Sequence, residues 1–311
     1  MKRFFLFLII CHLSLAFVPL FSKKAPLVIS DESLQLKRKL KQICNKESSL
    51  LMIHYNVNDH STENIKILLK HIFEIGLLQQ YIRHHSIVPI MNIQSSSVKT
   101  MIDQYNQEAQ YFNIVRAFLR SYEITNFKGY TKKIYTKMER MNRIVQKEKN
   151  INTIDELYFS SENILYDKQL KRKDSFHNLD FDTSRHLLVM EDIYAKKEVE
   201  YLKSIENPIG IRIEGRLRNS EIKNLIVQLN PSNEKGKLVF FLKFNKLQML
   251  QRQIYFLLND LNQTELDSIV FCHHISLSEN VSSMKKSIDF FEKTTKEFKI
   301  YHGGFFMEAN L

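Results

Sequence analysis

Apolar runs of strand length alternate with amphipathic helical stretches along most of this chain, and that order leaves few folds open. Leu50-Leu51-Met52-Ile53-His54-Tyr55 reads as a buried strand. Ser61 or Thr62 then caps a helix with Ile65, Leu68, Leu69, Ile72, Ile75 and Leu78 on one face, the 3.6-residue period of an amphipathic helix. Val88-Pro89-Ile90-Met91-Asn92-Ile93 reads as a second strand. The helix after it carries Ile102, Tyr105, Ala109, Phe112, Val115 and Leu119 in a single stripe, most simply a core face. Further strands are expected at His186–Met190, Ile209–Glu214, Leu238–Phe244, Ile269–His274 and Ile300–Phe306. Helical patterns at Ser220–Leu229, Leu247–Leu261 and Met284–Phe298 separate the last four. Parallel neighbours need a crossover, and a covering helix supplies it. The fold class is therefore α/β, a TIM-type (β/α)8 barrel in which about seven strands are recognisable and the closing one is missing. Its site would lie at the C-terminal ends of the strands. A barrel left open in this way would expose two unpaired edges.

The first residues read differently. Met1-Lys2-Arg3 is a basic start to an apolar run from Phe4 to Phe17, shorter than the roughly 20 residues that span a bilayer and suited to a signal-peptide core. Ser14-Leu15-Ala16 offers the small-x-small pattern of a cleavage site after Ala16; the alternative is an uncleaved anchor. Lys23 and Lys24 follow, with no acid before Asp31. A basic, acid-free segment behind a signal sequence resembles the two-part leader of secondary plastids, so the expected route is the secretory pathway, with a plastid as the destination of such a leader. The division is 1–16 signal peptide, 17–45 basic leader or linker, and 46–311 barrel domain. No second run of transmembrane length follows the leader.

A net charge of +11 raises the question of nucleic acid or an anionic surface. The basic residues are interleaved with acids, as in Glu198-Val199-Glu200-Tyr201-Leu202-Lys203, and no nucleic-acid signature accompanies them. A solvated basic surface or a site for phosphorylated small molecules accounts for the charge better. Beyond the signal peptide, which holds Cys11, only Cys44 and Cys272 remain. Without a CxxC pair a zinc site has no support; two free thiols are the simpler reading, with one disulfide as the alternative.

Five blocks occur in order between Phe159 and Lys237: Phe159-Ser160-Ser161-Glu162; Arg172-Lys173-Asp174-Ser175; Asp182-Thr183-Ser184-Arg185-His186; Asn207-Pro208-Ile209-Gly210-Ile211; and Leu229-Asn230-Pro231-Ser232-Asn233-Glu234-Lys235-Gly236-Lys237. In order and spacing they resemble class II DAHP synthase, the enzyme that opens the shikimate pathway to aromatic amino acids. The resemblance implies the same barrel. It also implies condensation of phosphoenolpyruvate with erythrose 4-phosphate, a divalent metal such as Mn or Co, and cations for two phosphorylated substrates.

The family's metal ligands are a Cys, a His, a Glu and an Asp. On the aligned positions Asn56 stands for the Cys and Ser276 for the His, and Asn is a poor ligand for a thiophilic metal. His273 and His274 lie close enough to Ser276 to substitute, on a changed backbone path. Glu308, in Gly303-Gly304-Phe305-Phe306-Met307-Glu308, is the one ligand retained, although Phe306 replaces the His of that motif. The Asp motif would follow the last strand, and the sequence reads to Leu311 without it; a missing closing segment is one account of this. For phosphate, Arg212 stands for the family's Lys and Lys243 for an Arg, which gives up bidentate reach. Ile193 replaces an Arg, and the stretch Asn92 to Lys99 loses both basic residues of its loop, Ser95 among the replacements.

These substitutions favour a divergent homologue that no longer catalyses, a pseudoenzyme with a degenerate site, in which catalytic residues cannot be assigned and weak phosphate contacts at Arg212 and Lys243 persist. The alternative is an active DAHP synthase with a remodelled metal site. No cofactor is assigned from the residues themselves, and homo- and hetero-oligomers both stay open. The surviving Asp174, Ser175, Asp182, Ser184, His186, Asn207, Asn230 and Glu234 read as caps, turn-formers and strand-end hydrogen-bonders.

Overall fold

The computed structural model describes residues 25–57, 86–95, 101–120, 156–162, 164, 170–191, 194–214, 219–243, 255, 259–276, 281–297 and 299–310. The leader with Ser14 and Ala16, the helix expected over 65–78, most of that over 247–261, and Ile193 lie outside the described residues. Eight parallel strands close into a barrel in the order β1-β10-β9-β8-β7-β6-β3-β2. They are β1 Ser48–Val57, β2 Ser86–Ser95, β3 Tyr158–Ser161, β6 Leu187–Met190, β7 Ile209–Glu214, β8 Leu238–Lys243, β9 Ile269–Ser276 and β10 His302–Asn310. Between β3 and β6 the chain makes a separate antiparallel hairpin of β4 Lys171–Asp174 and β5 Leu179–Asp182.

Closure overturns the expectation of seven strands with two open edges. The eighth strand is β3, which carries the first motif block, pairs β2 over Ile90↔Tyr158 to Asn92↔Ser160, and pairs β6 at Ser160↔Leu187. All four of its residues are buried. Closing the ring pairs each strand on both sides and removes the edges.

Alternation sorts the side chains into two layers. Leu50, Met52, Val88, Ile90, Tyr158, Leu187, Val189, Val239, Phe241, Val270, Cys272 and Phe306 fill the barrel. Their neighbours on the strands face outward. Leu188, Ile209, Ile211, Phe240 and Phe271 meet α3 Lys196–Leu202, α4 Asn219–Leu229 and α6 Val281–Glu297. Leu51, Ile53, Tyr55 and Phe159 meet α2 Met101–Arg120, where Phe112 stacks on Phe159 with centroids 3.9 Å apart. The short α5, Gln263–Ser268, leads into β9 behind an Asn262 cap.

The stretch 17–45, expected as leader or linker, contains α1, Ser30–Cys44, whose Leu36, Leu40 and Ile43 are fully buried. These three join the interior cluster, so α1 plugs the N-terminal end of the barrel and its residues belong to the packed domain. Gly236, just before β8, has φ +81° and a Cβ there would fall 2.6 Å from the backbone nitrogen of Lys41. Only glycine lets the two backbones meet so closely. Cys44 and Cys272 are not in a disulfide, and burial pushes the Cys44 thiol up to about 11.

β10 carries a bulge. Register with β9 moves from His302↔Phe271 to Gly304↔Cys272, two residues against one. Gly304 sits at φ +155°, and a Cβ would lie 2.0 Å from the Leu50 carbonyl oxygen.

Candidate functional site

At the C-terminal ends of the strands the inward positions turn from apolar to ionisable. Inward parity passes from Leu50 and Met52 to His54 on β1, from Ile90 to Asn92 on β2, from Val189 to Glu191 after β6, and from Phe241 to Lys243 on β8. β7 contributes Arg212 and Glu214, β9 His274, β10 Glu308, and Glu162 follows β3 directly. The barrel register sets His54 opposite both Asn92 and Glu308. All eight strands thus place a polar group at one mouth, the position at which barrels of this kind carry their sites.

Arg212 is the hub. Its Nη2 donates to Glu162 Oε1 at 2.5 Å and its Nη1 to Glu191 Oε1 at 2.6 Å. Glu308 Oε1 lies 3.6 Å and Glu214 Oε1 3.7 Å from the same guanidinium. The Arg212 side chain is 9% exposed and that of Glu162 6%, whereas Glu191 is 51% exposed, so Arg212 and Glu162 form a buried pair with Glu191 at the rim. Below it, the guanidinium carbon stands 5.0 Å over the Phe306 ring, a cation–π contact. Lys243 Nζ donates to both oxygens of Glu308, at 2.8 and 2.9 Å, and lies 3.5 Å from Glu214. His274 Nε2 is 3.4 Å from the second Glu308 oxygen. Across the mouth, His54 Nδ1 is 3.2 Å from Asn92 Nδ2 and 3.4 Å from Glu162 Oε1.

The acid strengths follow from this arrangement. Burial would raise the Glu162 carboxyl, but His54 and Arg212 outweigh it and hold the group below the usual carboxylate range. Glu191 moves the other way, raised by burial and by the Glu162 carboxylate beside it. His274, with Lys243, brings Glu308 down to about 2. His273, facing outward against Phe291 at 5.0 Å, is pushed down to about 3 by burial. It belongs to the wall, not the mouth.

Of the residues singled out in the sequence, Arg212, Lys243, His274 and Glu308 come together. Arg212 and Lys243, expected as phosphate contacts, both hold carboxylates. Glu308, expected as a metal ligand, holds Lys243. Asn56 lies in β1 two residues beyond His54, and Ser276 in β9 is level with Glu308. The donor set does not fit the family's metal. Both oxygens of the retained carboxylate face an ammonium, and among the described residues no group of three or more His, Cys, Asp or Glu is placed to hold an ion. The family's motifs mark Asn92 only as part of the loop stretch that loses its basic residues, and they do not mark His54 or Glu214. The signal for His54 and Asn92 is that each takes the next inward position after apolar residues of its strand.

The surviving motif residues lie at the opposite end. Asn207 Oδ1 accepts from the Asp182 amide at 2.8 Å, and its Nδ2 donates to the carbonyls of Asp182 and Arg185 and to Ser33 Oγ. Asp182 accepts from the Ser184 amide and hydroxyl and from the Tyr201 hydroxyl. Asn230 bridges the amide and carbonyl of Glu234. Arg185 is held by Glu108 at 2.5 Å and lies over Phe112. His186 Nδ1 accepts from the Phe159 amide, which ties β6 to β3 where few backbone pairs join them. These are structural bonds at strand starts.

The Class-II DAHP synthetase family matches residues 107–299. A chloroplastic protein of Catharanthus roseus, described as a probable phospho-2-dehydro-3-deoxyheptonate aldolase, is 31% identical over 87 residues, which cover 27% of this chain. The matched part is 18% of that relative's length. A phospho-2-dehydro-3-deoxyheptonate aldolase structure from Francisella tularensis superposes with a TM-score of 0.46 at 7% identity, over 93% of this chain and 86% of the other.

Proposed function

Because the chain belongs to the Class-II DAHP synthetase family, we propose that it is a non-catalytic member, a barrel that keeps the fold and has lost the metal-dependent condensation. The observation that carries this reading is the closed ion-pair ring. Arg212 lies between Glu162 and Glu191, and Lys243 lies on Glu308. A phosphorylated substrate would have to displace these carboxylates, the buried Glu162 bond contributing about 1.5–3 kcal/mol and the half-exposed Glu191 bond less, and would then face their negative charge. Among the described residues the mouth holds the carboxylates Glu162, Glu191, Glu214 and Glu308 against the cations Arg212 and Lys243, a poor match for two phosphates. The leader, together with the chloroplast named for the Catharanthus relative, supports a plastid address; a fluorescent fusion at the C-terminus would read it.

The test is direct. Purified protein with Mn²⁺ or Co²⁺, phosphoenolpyruvate and erythrose 4-phosphate should consume no phosphoenolpyruvate above background. Turnover that disappears in Glu308→Ala would reverse the reading. It would favour the alternative of a remodelled active site, for which the His54–Glu162 and His274–Glu308 pairs supply acid–base groups.

A further inference from the structure

We propose that the Lys243 ammonium has taken over the structural role of the metal ion at this mouth, as a cation tethered to the fold. The proposal rests on the reading of the mouth given above but fails separately from it. Lys243 leaves the barrel on β8 and Glu308 on β10, with β9 and its His274 between them. The ammonium spans that strand to reach both carboxylate oxygens, at 2.8 and 2.9 Å, and lies 3.5 Å from Glu214 on β7. It therefore joins carboxylates from two walls of the barrel, which is what a bound ion does at a strand-end site. An ammonium is a compact point charge with three donors, so two hydrogen bonds to Glu308 and a longer approach to Glu214 suit it. The Lys243 side chain is 23% exposed and that of Glu308 30%, so the pair is partly shielded from solvent screening. A divalent ion on Glu308 would have to share the carboxylate with this ammonium and with Arg212 Nη2, 3.6 Å away. Like charge on two sides disfavours it, whereas the single charge of the lysine is already in place and needs no capture from solution. A lysine at this position thus makes the mouth's order independent of metal supply.

The test uses the full chain and reads metal binding, not turnover. In Mn²⁺ titrations followed by electron paramagnetic resonance, the wild-type protein should leave the free-ion signal undiminished, and its melting temperature should be the same in EDTA and in millimolar Mn²⁺. Lys243→Met should lower the melting temperature, and millimolar Mn²⁺ should restore part of the loss. That restoration should vanish in the Lys243→Met/Glu308→Gln double variant. Wild-type binding of Mn²⁺ that is abolished by Glu308→Gln overturns the proposal, as does a Lys243→Met protein that folds and ignores the ion. Should Lys243→Met fail to fold, the wild-type titration with Glu308→Gln as its control still decides. Metal bound without turnover would sink this inference and leave the non-catalytic reading standing; turnover without metal would do the reverse.

Discussion

The two ends of this barrel are both polar, yet they are built on different principles. At the N-terminal end the polar groups are mainly hydrogen-bonded to backbone: Asn207 to the amide and carbonyl of Asp182, Asn230 to Glu234, and Lys237 to the carbonyls of Ile205 and Asn207. Beneath them α1 seals the interior with Leu36, Leu40 and Ile43. At the C-terminal end the polar groups bond mainly to one another, side chain to side chain, through Arg212 and Lys243. A bond to backbone fixes a turn and is hard to replace; a ring of side-chain ion pairs can exchange members while the fold persists. Of the residues that match the family's motifs, Asp182, Asn207 and Asn230 lie at the first end, and Glu162 and Glu308 at the second. A barrel built in this way can keep its architecture while the charges at its mouth change.

The comparison is sharpened most by Asn207→Ala. Asn207 is fully buried, and its loss strips a partner from the Asp182 amide and from two carbonyls, at a cost of about 3 kcal/mol. Denaturant unfolding should show that loss with an unchanged m-value; a cost near zero would break the claim that this end is the rigid one.

A smaller effect is expected at the mouth from acid. Glu308 is held at about 2 against an ordinary 4.5, so its ionised form favours the folded state. That contribution is fully present above about 4.5 and is lost as pH falls through about 2. The stability difference between wild type and Glu308→Gln should accordingly be constant above pH 4.5 and shrink toward pH 2. A difference that does not change with pH would show that the carboxylate charge has no part in it.

Smallest of all should be Glu191→Gln. This carboxyl is half-exposed and raised by burial and by Glu162, so neutralising it relieves like-charge crowding while an amide oxygen can still accept from Arg212. Thermal melts should place the change within about 0.5 kcal/mol, neutral or stabilising. A cost as large as that of Asn207→Ala would mean the ring is as fixed as the base.

How far the sequence discloses these features depends on what each element is made of. Seven strands are legible because each carries several large apolar residues over strand length, unbroken in Leu238–Leu242 and interrupted in Ile209–Glu214. The eighth escapes because Tyr158–Ser161 is four residues long and half serine, buried by its neighbours rather than by its own composition. α1 escapes because Lys37, Lys39 and Lys41 make its stretch look like a basic leader, although Leu36, Leu40 and Ile43 keep helical spacing. Arg212, Lys243 and Glu308 are visible through motif alignment. Their mutual pairing is not, because Glu162, Glu191 and Glu308 reach the mouth from distant parts of the chain. Only barrel closure makes them neighbours.

The bulge in β10 has a bearing on all of this. His302 faces outward to Phe291 while Gly304, two residues later, lies level with the inward Leu50. A regular strand keeps residues two apart on the same side. The extra residue shifts the phase of everything after it, so that Phe306 and Glu308 look into the barrel and Met307 looks out. Were the strand regular, Met307 would occupy the mouth, Lys243 would face a thioether, and Glu308 would be thrust among the apolar residues of the outer layer. The identity of the mouth is thus settled by a single residue of slack at a glycine pair, far below the charges it arranges.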